Sequence, residues 1–242
     1  MIANRWILAM PSDDKSYLKF DHNEYAKTRA PDDFWGQVRR TVGGAPVSEE
    51  QIGMIVDRIR SELQLQAGDA LLDIACGNGA LSHLLFDSCT EYLGVDLSGH
   101  LVSVAKANFE ALPHYEFIQQ DAVEYLRSES KPRRFSKVLC YGSFSYFAAD
   151  AARQMLRILF AQFTGVQRVF IGNLPDRDRA EAFYDKPLNP EELADCSSQI
   201  GIWRTRGEFS RMARDIGWRI TISSMPDTFY ASHYRYDALL SR

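Results

Sequence analysis

The chain has 242 residues, 45% of them hydrophobic and 25% charged. It is long enough to bury the core of one large α/β domain, and it lacks the low-hydropathy signature of disorder. A formal net charge of −4 gives it no overall electrostatic reason to bind nucleic acid, which is not expected as a partner. The one early apolar run, Trp6 to Met10, is too brief for a signal peptide or a membrane span, so a cytoplasmic protein without membrane contact is expected.

Residues 1–46 mix charges with aromatic side chains and are punctuated by Pro31 and by Gly43-Gly44-Ala45-Pro46. They read as an N-terminal cap ahead of a domain spanning 47–242. Within the cap, Tyr17, Phe20, Tyr25, Phe34 and Trp35 stand among charges, a composition suited to a lid over a ligand. Ser48 followed by Gln51 is a capping-box pattern, and Ile52, Ile55, Val56, Ile59 and Leu63 recur at helical spacing. A long amphipathic helix is therefore predicted before the first strand.

From Asp69 onward the pattern alternates. Strands are predicted at 70–74, 91–95, 115–118, 136–141 and 167–172, with helices at about 79–88, 98–111, 121–128 and 149–164. Such alternation implies a parallel sheet with helical crossovers. Residues 173–205, with Pro175, Pro187 and Pro190 and many charges, break the rhythm as an insertion on the sheet's carboxyl edge. A helix near 206–216 and strands at 218–224 and 233–240 close the chain. The eight residues or so between the last two strands are too few for a helical crossover, so these should pair antiparallel.

The cysteines at 76, 89, 140 and 196 show no Cys-x-x-Cys spacing and no histidine at metal-ligand spacing. All four are expected reduced, and no metal site is expected. His22, His114 and His233 are candidate bases by residue type alone, and no catalytic residue is assigned.

The chemistry concentrates where the first strand, Leu71-Leu72-Asp73-Ile74, runs into Ala75-Cys76-Gly77-Asn78-Gly79. Glycines there permit backbone conformations closed to other residues and let a nucleotide cofactor approach the main chain. A dinucleotide fingerprint would place a third glycine at position 82, which is Ser82. NAD is therefore not the expected ligand.

Asp73-x-x-x-Gly77-x-Gly79, with Asp96 ending the second strand and Asp121 following the third, resembles the class I S-adenosylmethionine-dependent methyltransferases. The resemblance covers about 48–242 and implies a Rossmann-like α/β fold, with a mostly parallel seven-stranded sheet, helices on both faces and a C-terminal antiparallel hairpin. It implies S-adenosylmethionine as cofactor. The backbone of Ala75, Cys76 and Gly77 would line its methionine and ribose portion, with Asp73 supporting the turn or reaching the ammonium through water. Asp96 would accept from the ribose hydroxyls, Leu97 would pack on adenine, and Asp121 with Ala122 would read the adenine edge, although Asp121 alone is also a good helix N-cap. Tyr141 and Gly142 would face the methionine moiety, and Ser143, Tyr146 and Phe147 the acceptor.

No Asn/Asp-Pro-Pro-Tyr/Phe motif stands at Tyr141, which disfavours methylation of adenine or glutamine nitrogen. In the cap, Trp35, Arg39 and Arg40 are placed to grip the cofactor carboxylate, or else to pack Trp35 in the core beside a surface arginine. The function expected is methyl transfer to a small-molecule acceptor. The rivals are a protein or RNA methyltransferase and a noncatalytic S-adenosylmethionine-binding module.

Overall fold

The structure, a computed structural model, describes residues 21–184 and 189–242. The Trp6–Met10 run, Tyr17, Phe20 and Pro187 lie outside the described residues. Two short helices open the described chain, each begun by an aspartate. Asp21 accepts the backbone N–H groups of Asn23 and Glu24 to start α1 (His22–Lys27), and Asp33 accepts that of Gly36 in α2 (Phe34–Gln37). The two-residue strands β1 (Thr41–Val42) and β2 (Ala45–Pro46) form a hairpin through left-handed Gly43 and Gly44.

Helix α3 (Glu49–Leu63) buries Ile52, Ile55, Val56, Ile59 and Leu63, the predicted face. Ser48 accepts the Gln51 N–H at 3.4 Å, but the reciprocal half of the expected capping box is missing. The Gln51 side chain is engaged elsewhere, donating to Thr228 O and accepting from the Tyr230 N–H.

The sheet then builds from β3 (Ala70–Ile74), β4 (Glu91–Asp96), α4 (Gly99–Phe109), β5 (Tyr115–Gln119), α5 (Ala122–Ser128), β6 (Lys137–Tyr141), α6 (Ala149–Gln162) and β7 (Arg168–Pro175). After α7 (Pro190–Ala194) and α8 (Arg206–Arg214) come β8 (Arg219–Ser223) and β9 (Arg235–Ser241). Its order is β5-β4-β3-β6-β7-β9-β8. The first five strands of that order are parallel, and β9 lies antiparallel to both β7 and β8. Strand order reverses between β3 and β6, and in open α/β sheets the ligand crevice lies outside the carboxyl ends at such a point.

Two predictions are corrected. Residues Ser82–Ser88, expected to continue an α-helix from 79, wind as a 3-10 helix. No side chain caps their first turn, and the Ser82 hydroxyl is drawn to Asp73. Strand β7, expected to end at 172, runs on to Pro175 because β9 offers it a partner, with a register shift between Ile171 and Leu174. The segment outside the sheet therefore starts at Asp176 rather than 173.

Alternate residues along each strand face two apolar clusters, as a sheet covered on both sides requires. Leu72, Val138 and Cys140 join Leu156, Phe163, Phe209 and Trp218 on one face. Leu71, Leu139 and Phe170 join the α3 face and Trp203 on the other. Among the described residues no helix is long and apolar enough to cross a membrane.

Phe117 on β5 fills the space beneath the turn after β3. A Cβ at Gly94 would lie 2.7 Å from the Phe117 ring, 2.7 Å from the Tyr92 hydroxyl and 2.8 Å from Cys76 Sγ. Gly94→Ala is therefore expected to cost about 1–3 kcal/mol by overpacking. Denaturant unfolding measures it, and an unchanged midpoint would show that the pocket around Phe117 is loose.

Candidate active site

Three residues of the turn after β3 take left-handed backbone, namely Ala75 (φ 58°), Gly77 (φ 62°) and Gly79 (φ 74°). For Ala75 this conformation costs about 1–2 kcal/mol, and it is held by the N–H groups of Ala75 and Cys76, which both donate to Val95 O on β4 (2.7 and 3.2 Å). Asp96 completes the fastening. One carboxylate oxygen accepts the Gly77 N–H at 2.8 Å and the other the Ser98 N–H at 2.8 Å. Burial raises its pKa, opposed by these backbone donors, and a carboxylate with two bonds can accept more. Leu97 beside it is 69% exposed. Asp121 caps α5, accepting from Val123 and Glu124 (2.9 and 3.0 Å), with Ala122 buried behind it.

Asp73 is buried, and its carboxylate accepts from the hydroxyls of Ser82 and Tyr92. It braces the turn against the 3-10 helix and β4. Burial pushes this carboxyl up to about 7, with the two hydroxyl bonds opposing. The neighbouring Cys76 thiol is pushed well up, first by burial and then by Asp96 and Asp73, so it stays neutral.

Residues 21–40 are fastened over the same turn. Asn78 Nδ2 donates to Phe34 O (2.8 Å) and Gln37 Oε1 (2.9 Å), and Asn23 Oδ1 accepts from the Ser98 hydroxyl and the His100 N–H. A Cβ on Gly77 would meet Val38 Cγ1 at 3.1 Å. The two arginines diverge. Arg39 donates to Gln199 O at 2.9 Å, whereas Arg40 lies 5.7 Å from the Trp35 ring and 5.2 Å from the Tyr141 ring. Its Nη1 is buried without a hydrogen-bond partner. Trp35 itself packs on the α3-side cluster.

A cavity of about 190 Å³ opens at the carboxyl edge, bounded by Arg40, Gly142, Tyr146, Asn173, Tyr230 and Arg235 among others. Of the expected acceptor residues only Tyr146 lines it. Ser143 instead donates to Ala75 O (3.2 Å), and Phe147 packs on the opposite face with its ring 6.1 Å from Phe144. His22 stacks edge-on against Tyr146 at 4.3 Å, and burial and then Arg39 lower its pKa to about 4.

Sequence reasoning missed Asn173, Tyr230, Tyr234 and Arg235. Asn173 sits in the β7 bulge with φ 63°. The bulge is braced from β9, where Asp237 accepts the Asn173 N–H (2.8 Å) and Arg235 Nη1 donates to Asn173 O (2.5 Å). The buried Tyr141 hydroxyl, Asn173 Oδ1 and Arg235 Nε have no hydrogen-bond partner. The aromatic and basic density of Phe229-Tyr230-Ala231-Ser232-His233-Tyr234-Arg235 was the available signal.

These groups fit a ligand with the polarity of S-adenosylmethionine. Two of the residues bounding the cavity, Arg40 and Arg235, carry buried donors without a partner among the described residues, an exposed leucine flanks an acceptor-rich aspartate, and the nearest atoms to a Cβ on Gly142 would be 3.6 Å away. Protonated Asp73 has a separate consequence. A carboxyl whose folded pKa exceeds its ordinary 3.8 contributes stability fully below that value and loses it as pH rises toward 7. Asp73→Asn cannot ionise and should gain in thermal midpoint on the parent chain between about pH 5 and about pH 8; a difference constant across that range would show that Asp73 does not titrate there.

Residues 71–162 match a family model described as a methyltransferase domain. No curated protein matches the chain. Among solved structures, the fold is similar to the methyltransferase domain of bacterial CtHen1-CN, at 17% identity over 80% of this chain and 98% of that one, with TM-score 0.58. It is also similar to magnesium protoporphyrin IX methyltransferase from Synechocystis PCC 6803 with bound S-adenosylmethionine, at 16% identity over 80% and 78%, TM-score 0.54. The small RNA methyltransferase HEN1 is similar at 18% identity over 81% of this chain and 25% of that one, TM-score 0.58. Family model and sheet order agree: residues 71–162 match a methyltransferase domain, and the chain has the fold of these S-adenosylmethionine-dependent methyltransferase structures.

Proposed function

We propose that this methyltransferase acts on a compact small-molecule acceptor held in the cavity at the ends of β6, β7 and β9. The observation that carries this reading is the cavity itself. At about 190 Å³ it matches a small molecule, and its walls come from residues 38–41, the strand ends, Phe183, Gln199, Ile200 and the loop before β9. A polymer needs an open groove, and a regulatory module needs no second cavity.

Within this reading Asp96 accepts from the ribose diol, Leu97 covers adenine, and Asp121 with Ala122 meets its edge. Ala75, Cys76 and Gly77 offer their backbone to the ribose and methionine portion. Arg40, buried and unpaired, takes the cofactor carboxylate against Trp35 and Tyr141, while Gly142 leaves room for the methionine chain. Arg39, bonded to Gln199, serves to close the cap over the site. Residues 1–46 act as that cap, a role supported by the Asn78 bonds to Phe34 and Gln37.

Bound S-adenosylmethionine supplies a methyl group already activated on a sulfonium. The protein's contribution is alignment of the acceptor and exclusion of water. Tyr146, Phe183, Tyr230 and Tyr234 provide aromatic walls beside the polar lining of Arg40, Asn173 and Arg235.

Asp96→Ala is expected to weaken cofactor binding by about 1.5–3 kcal/mol, and calorimetry showing unchanged affinity in the folded variant would refute the ribose assignment. The acceptor class is tested by following labelled methyl groups from the cofactor into a panel of small nucleophiles, an oligoribonucleotide and a polypeptide. Label should enter the small-molecule fraction. Transfer to RNA alone, the acceptor that HEN1's name gives for that protein, or to polypeptide alone would overturn the reading.

A further inference from the structure

We infer that the acceptor carries an oxyanion, a carboxylate or a phosphate, and that Arg235 seats it; this rests on the small-molecule reading. Three arginines, at 39, 40 and 235, line the cavity, and among the described residues no aspartate or glutamate does. Withdrawing a guanidinium from water without a counter-charge costs several kcal/mol, so an arginine buried in this way is placed for an anion that arrives with a ligand. Arg39 bonds Gln199, and Arg40 is assigned to the cofactor. Among the described residues Arg235 has no ion pair.

The geometry around Arg235 is specific. Nη1 donates to Asn173 O at 2.5 Å, and the guanidinium carbon lies 4.8 Å from the Tyr234 ring. Nε is buried without a hydrogen-bond partner. The bond from Nη1 fixes one edge of the fork and leaves the side-on edge, headed by Nε, for the two oxygens of one oxyanion.

The carboxylate nearest in sequence is already engaged. Asp237, two residues along β9 and on the same face, accepts from the Asn173 N–H at 2.8 Å and from Arg58 Nε at 3.4 Å. Burial works to lower the Arg235 pKa, and Tyr234, then Tyr146 and Tyr230, oppose it and raise it on balance, so the guanidinium stays charged. Burial, the leading cause, pushes the phenols of Tyr146 and Tyr230 up, so both stay neutral hydroxyls. Asn173 Oδ1, displaced into the cavity wall by the bulge and also unpartnered, would accept a hydroxyl or amine hydrogen of the same ligand.

The test uses the full chain saturated with S-adenosylhomocysteine and titrated by calorimetry with acetate, inorganic phosphate or uncharged glycerol. One of the two anions should bind with one-to-one stoichiometry, and which one separates carboxylate from phosphate. Arg235→Gln should weaken that anion at least about tenfold, roughly one charge-assisted hydrogen bond, with S-adenosylhomocysteine affinity within about twofold. Arg40→Gln should show the reverse pattern. Arg235→Lys, which keeps the charge, should retain part of the anion binding and guards against a variant that fails to fold.

The proposal is overturned if neither anion binds the parent chain or if glycerol binds as well as they do. It is also overturned if anion affinity survives Arg235→Gln, or if that variant loses S-adenosylhomocysteine as severely, which would put Arg235 at the cofactor. Methyl transfer to an uncharged small molecule would sink this inference and leave the small-molecule reading standing, whereas transfer to RNA alone would sink that reading.

Discussion

The carboxylate of Asp96 ties together two pieces of backbone at the ligand edge of the sheet. Through one oxygen it secures the N–H of Gly77, in a turn that three left-handed residues make costly, and through the other the N–H of Ser98, where α4 begins. An aliphatic residue at position 96 would leave two buried donors unmet and the turn without its anchor. The position of Leu97, the start of α4 and the attachment of α1 through Asn23 follow from that one side chain. Structural support does not exhaust this group, because a carboxylate has more acceptor capacity than two amides consume.

A second constraint comes from the far side of the sheet. The bulge at Asn173 and the arginine that braces it belong to different strands, and both face a cavity where several polar atoms lack partners. Buried polar groups are nearly always satisfied. Arg40, Asn173 and Arg235 are among the exceptions, and they gather next to a strained backbone position, which is the ground for proposing a ligand there.

The parts legible in the sequence were those written in local pattern. The alternation from Asp69, the apolar face of α3 and the glycine turn each depend on residues a few positions apart, and each stands where expected. The misreadings share a cause in distant partners. Gln51 looked like half of a capping box, yet its side chain serves backbone 177 and 179 residues away. Residues 82–88 had helical composition, but Asp73 claims the Ser82 hydroxyl and the run tightens to 3-10. Phe147 was expected at the acceptor with Tyr146, whereas it caps the 3-10 turn Phe144–Tyr146 and leaves toward the other apolar cluster. Arg235 was signalled only by the aromatic and basic density of 229–235, which does not say that a distant strand's bulge is its partner.

The order of the last strands has a consequence for how the enzyme is made. Strand β8 leaves the ribosome before β9, yet it touches the sheet only through β9, which inserts between β7 and β8. Until that last strand emerges, β7 presents an open edge, β8 has nothing to pair with, and the wall carrying Tyr234 and Arg235 does not exist. The cofactor turn, by contrast, is complete once β6 is in place. A growing chain thus completes the glycine turn well before the cavity at the ends of β6, β7 and β9, which closes only with the final long-range pairing of synthesis.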